Sequence, residues 1–168
     1  HILQFGQEFF LQVNEHGERF TNEDLSMTNI AKVMQNQPGS KVFQIIDSHW
    51  PEQYPMLEMV MENIRSYGDG EGFSAQADSL EELASQLELS ADATQNLTAA
   101  VARYNELCDA GFDADFGKQA KYLKKIEKAP YWGIHKHVRV SALCAGATVN
   151  ENYQATRGVG GEVIPNLW

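Results

Sequence analysis

The stretch from Ser90 to Gly111 sets the first condition on the fold. Ser90 can cap a helix and Gly111 can stop it, and Leu97, Val101, Tyr104 and Cys108 fall on one face between them. A helix with an apolar stripe needs a surface to bury it against. A shorter helix comes just before it. Ser79-Leu80-Glu81-Glu82 matches a capping box, with Leu80, Leu83, Ala84 and Leu87 at helical spacing. The surface under both helices must come from strands nearer the chain ends. Lys41 to Asp47 (K-V-F-Q-I-I-D) is a β-branched and aromatic run, Ile2 to Val13 reads as one or two short strands, and Phe73 to Gln76 as another. Pro130 opens a strand in which Trp132, Ile134, Val138 and Val140 alternate to one side and His135, His137 and Arg139 to the other. The fold class is α+β.

Leu11 to Glu23 joins the first strand to the first helix. His16-Gly17 is a turn, Thr21 or Asn22 caps the helix, and Glu23 and Asp24 sit in its first turn. Leu25, Ile30, Val33 and Met34 form its stripe, and Pro38-Gly39 ends it. Ser48 to Met61 turns helical after Pro51 and Pro55, and Tyr67 to Gly72 is a loop. Lys118 to Lys128, with five lysines, reads as a solvated face beside the acidic turn at Asp113 to Gly117. From Gly146 to Ile164 the pattern is a β meander, with turns at Asn150-Glu151-Asn152 and at Gly158 to Gly161.

The net charge is -10, from 13 Lys and Arg against 23 Asp and Glu. That argues against nucleic acid and against an anionic membrane surface as partners. No apolar run is long enough for a membrane span. The two cysteines, Cys108 and Cys144, form no CxxC and no zinc-spaced cluster, and Cys108 reads as a buried apolar residue. His135 and His137 lack a third metal ligand, so a polar strand face is the better reading. Asp113 and Asp115 have no identifiable partner acid and read as structural. Gly158-Val159-Gly160-Gly161 is not followed by a helix, which a dinucleotide phosphate site requires. The chain starts at His1 and stops at Trp168, and it reads as cut from something longer.

Several segments, in order, resemble one family. V-N-E-H-G-E-R-F-T-N-E (Val13 to Glu23) is similar to the "VN..G.RF.NE" signature of the fumarate reductase/succinate dehydrogenase flavoproteins, on their soluble flavocytochrome c branch. That branch also holds urocanate reductases and 3-ketosteroid dehydrogenases. S-L-E-E-L-A (Ser79 to Ala84) resembles its "TLEELA" helix. V-A-R-Y-N-E-L (Val101 to Leu107) with G-F-D-A-D-F-G-K (Gly111 to Lys118) resembles "V.RYN" and "G.D.DFG+". A-P-Y-W-G-I (Ala129 to Ile134) resembles "PPFYAI", and V-I-P-N-L-W (Val163 to Trp168) the start of "PIPGLYAAGE".

The resemblance implies a substrate-capping domain over residues 8–141, inserted into an FAD-binding domain to which residues 142–168 return. It implies FAD as cofactor of the parent protein, held mainly by sequence upstream of His1, so that this piece alone holds flavin poorly and is inactive. It implies hydride transfer between flavin and a carbon–carbon double bond of a small-molecule substrate. The piece's own FAD-binding domain is the expected partner, and a haem or iron–sulfur electron donor is a candidate one. The compartment is open.

The departures bear on chemistry. In the fumarate reductases of the family an arginine eight residues after that of "RF.NE" gives the proton; here that position is Met27, which has none to give. Where they carry "HHT.GG", this chain has Ser141-Ala142-Leu143-Cys144-Ala145-Gly146. By the resemblance, Arg19, Glu23, Met27, Ala142, Leu143 and Cys144 face substrate, and Ala145 and Gly146 face the cofactor. Losing a guanidinium and an imidazole at carboxylate-facing positions argues against fumarate and for a larger, less charged enone. Arg19, Ser26, Thr28 and Tyr131 are the candidate proton donors, with Arg19 alternatively pinning its turn through an ion pair to Glu23. The alternatives are a flavin-free binding module with the same cap, or a homologue that has lost activity.

Overall fold

The computed structural model describes residues 7–55, 74–136, 138 and 147–167. The chain divides into two units, His1–Val138 and Arg139–Trp168. The first is built on a four-stranded antiparallel sheet of β1 (Leu11–Asn14), β2 (Val42–Ile46), β3 (Ser74–Ala77) and β4 (Tyr131–Lys136), in the order β1-β2-β4-β3. The helices among its described residues are α1 (Met27–Gln35), α2 (Trp50–Gln53), α3 (Leu80–Gln86) and α4 (Ala91–Ala110). The architecture is α+β.

Strand register sorts the sheet into two faces. Leu11, Val13, Phe43, Ile45, Ala75 and Ala77 pack with Leu83 and Ala84 of α3, with Leu97, Val101 and Tyr104 of α4, and with Leu123 and Ile126. The opposite face carries Ile46, Trp132 and Ile134, packed with Phe10 and with Trp50 of α2. Every residue of β1 and β2 is buried, so neither strand has a solvated side. This corrects the reading of β4. His135 is opposite Phe43 in register, and their rings lie 5.2 Å apart, on the α3–α4 side of the sheet rather than on a solvated face. His137 and Arg139 lie outside the described residues.

The helix ends follow local chemistry. The Ser79 hydroxyl accepts from the Glu82 N–H at 3.1 Å and the Ser90 hydroxyl from Ala93 at 3.2 Å. Gly111 closes α4 at φ +68°, in the left-handed region. The first helix differs from expectation: Thr21 and Asn22 do not cap it. It begins at Met27, after Ser26, because Glu23 is drawn into the interior and the Asn22 side chain accepts the Asp24 N–H at 2.8 Å. Only a 3-10 turn, Gln7–Phe9, and β1 are described in the segment read as one or two strands. Helical continuation after Pro55 and the loop at residues 67–72 lie outside the described residues.

The turn at His16-Gly17 sits directly on α4. Asn96 donates to the His16 carbonyl at 2.9 Å. Gly17 has φ +73°, and a Cβ there would lie 2.1 Å from the Ala93 carbonyl oxygen. Only glycine fits both the backbone conformation and the space. In the second unit, residues 147–167 form turns joined by the isolated bridges Val149–Ala155 and Thr156–Val163, with Ala155 buried. The meander expected there is thus present as bridges rather than continuous strands.

Candidate functional site

The arginine within the chain's first motif leads into the interior. The side chain of Arg19 is 7% exposed and makes forked contacts with two carboxylates. Its Nε and Nη2 donate to Glu23 at 3.0 and 2.9 Å, and its Nη1 and Nη2 to Asp113 at 3.2 and 2.7 Å. Its guanidinium also lies over the rings of Tyr104 and Phe116, about 5 Å from each centroid. Glu23 accepts from the Gln12 backbone N–H at 3.2 Å and meets Lys118 Nζ at 3.3 Å. Lys118 Nζ in turn donates to the Tyr104 hydroxyl at 2.8 Å. Two cations and two carboxylates balance, which is what lets charge stand in the interior.

The electrostatics agree with the geometry. Burial works to raise the Asp113 carboxyl, but Arg19 and the backbone N–H groups of Lys118 and Phe116 outweigh it and hold the group at about 2. Burial works to lower Arg19, and the bonds to Glu23 and Asp113 raise it further above its usual range. A guanidinium held this way keeps its proton. Arg19 therefore makes the turn-pinning ion pair considered for it, with Glu23 as its buried partner. The Arg19–Glu23 ion pair is made in a turn, not on a helix.

Lys118 is a second correction. Rather than joining a solvated lysine face, it is 2% exposed, and burial pulls its ammonium below the ordinary lysine range despite Glu23. Asp115 does stand at the surface side, paired with Arg103 at 3.0 and 2.8 Å, so the acidic turn is structural throughout. A cleft of about 310 Å³ lies over this cluster, lined in part by Glu18, Arg19, Asn96, Arg103 and Phe116. Burial pushes the Cys108 thiol up to about 11, in keeping with an inert residue.

Of the remaining candidates, Ser26, Met27 and Thr28 stand exposed at the start of α1, with Met27 at 50% exposure. The Ser26 hydroxyl does not cap the helix. Tyr131 is at the start of β4, opposite Ala77, and packs against the core beneath α3 and α4. Its phenol is raised by burial and by Asp47. Ala142, Leu143, Cys144, Ala145 and Gly146 lie outside the described residues. Sequence reading missed a fixed histidine at the end of β2: buried Asp47 accepts from the N–H groups of Glu127 and Lys128 and holds His49 Nδ1 at 2.9 Å.

A dinucleotide cradle needs glycines leading into a helix N-terminus. Gly158 and Gly160 have positive φ in an exposed turn, and residues 162–167 contain no helix. This turn does not fit a dinucleotide phosphate. No helix among them is long and apolar enough to cross a membrane.

Comparison with known proteins completes the picture. The family described as FAD binding domain matches residues 2–168. A vinyl phenol reductase of Lactiplantibacillus plantarum is 29% identical, over 88% of this chain and 33% of its own length. An NADH:acrylate oxidoreductase of Vibrio harveyi is 32% identical, over 96% of this chain and 15% of its own. The chain thus spans a third or less of these relatives. In fold it is similar to the solution structure of a fumarate reductase flavoprotein subunit from Lactobacillus plantarum, with a TM-score of 0.65, 24% identity, and coverage of 84% of this chain and 90% of that one.

Proposed function

The chain belongs to the FAD binding domain family, within the fumarate reductase/succinate dehydrogenase flavoprotein superfamily, and from that premise we propose that it is the substrate-capping part of a larger flavoenzyme. The family implies FAD as the parent's cofactor. Residues 8–141 would form the cap, and residues 142–168 the return into the FAD domain. The parent would act on a carbon–carbon double bond in a substrate other than fumarate. The relatives named for vinyl phenol and acrylate support the bond class.

One observation carries the substrate reading. Met27 is the first residue of α1 and is half exposed, at the position where the resembling fumarate reductases place a proton-giving arginine. A thioether offers dispersion contact and no proton. Around it, Ser26 and Thr28 offer hydroxyls and no positive charge. The buried Arg19, committed to Glu23 and Asp113, is not available to replace a missing guanidinium. This end of α1 suits an uncharged or aromatic body better than a dicarboxylate.

The test is Met27→Ala in the parent flavoprotein. The expected outcome is a raised KM for the parent's substrate, with kcat changed less and with unaltered thermal stability, because an exposed side chain contributes within about 0.5 kcal/mol to folding. An unchanged KM would remove Met27 from the substrate surface.

A further inference from the structure

Among the described residues, Gln12 and Gln44 are the polar side chains that the fold buries without using. Each is 0% exposed. They are register partners across β1 and β2 and so share the sheet face that carries Ile46, Trp132 and Ile134. Their neighbours are provided for: the Asn14 side chain accepts from His16 and Glu18 and donates to Gln37. The amide nitrogen and oxygen of both glutamines meet no protein hydrogen-bond partner. Buried amides are rarely left so, since each unmade bond costs about 1–3 kcal/mol.

We propose that Gln12 and Gln44 form an internal polar site that holds ordered water between β1 and β2. Neighbouring carboxamides can together offer N–H donors and carbonyl acceptors to one water, and a buried water needs about three such contacts. Directly opposed residues have Cβ atoms about 5 Å apart, so one water can bridge both amides. Among the described residues, the same face carries Ile46, Trp132 and Ile134. Lys136 borders the pair, opposite Val42 in register, and its ammonium exchanges protons with solvent, so the test must separate it from the site.

The measurement is water-selective NOE and ROE transfer to the side-chain amide protons of the isotopically labelled chain. The expected result is transfer to the amide protons of both glutamines, kept in Lys136→Met, and lost from the remaining Gln44 amide protons in Gln12→Leu. Absence of transfer, or its loss in Lys136→Met alone, would overturn the proposal. The first would mean that the amides bond each other or another protein group, and the second that the signal was relayed from the ammonium.

Discussion

Asp113 ties the buried charge cluster to the turn that follows α4. It joins the turn after α4 to Arg19, 94 residues earlier in the chain, and fixes three backbone N–H groups as well. Asp113→Asn keeps the shape and removes the charge, leaving Arg19 half paired in the interior. Breaking a buried ion pair costs about 3–5 kcal/mol, and urea denaturation should show a loss of that order. The pH dependence has a definite sign. The folded-state value of about 2 is below the ordinary 3.8, so the contribution is full above about pH 4 and is lost as pH falls toward 2. The urea midpoint of the unaltered chain should drop over that window, and Asp113→Asn should show a smaller drop. Arg19, Glu23, Tyr104, Asp113 and Lys118 all lie in segments that carry the family resemblance. Their motif was legible in the sequence. Their role was not, because no local pattern separates Lys118 from the four lysines that follow it.

At the scale of elements, the joint between the His16-Gly17 turn and α4 is the feature most sensitive to a single atom. Gly17→Ala would place a methyl against the Ala93 carbonyl in a backbone conformation that alanine resists. It should lower stability by about 2 kcal/mol or more and shift the melting temperature by several degrees, whereas Gly111→Ala, with open space around it, should cost less. The two capped helices and β2 were readable because capping serines, a closing glycine and β-branched runs act over a few residues. The start of α1 was misplaced because a tertiary contact, Glu23 with Arg19 and Lys118, overrode a local capping signal at Thr21-Asn22. The polar side of β4 was misassigned for a related reason. Alternation reveals a solvated face only when one face is solvated, and both faces of this sheet are covered.

At the scale of the molecule, fold class and superfamily were legible because the matching segments run along nearly the whole chain, and the family match covers residues 2–168. The site was legible in part. Met27 stands half exposed at the start of α1, and Arg19 and Glu23 form the expected ion pair, buried with Asp113 and Lys118. The central claim is that the parent acts on a carbon–carbon double bond without the cationic donors a dicarboxylate needs. The most direct measurement is stopped-flow reoxidation of the pre-reduced parent flavoprotein, comparing fumarate with acrylate, a vinyl phenol and a neutral enone. The account predicts fast reoxidation by at least one of the last three and, with fumarate, a rate lower by about a hundredfold or more, equivalent to about 2.7 kcal/mol of transition-state stabilisation. Reoxidation by fumarate as fast as by the best of the others would contradict it.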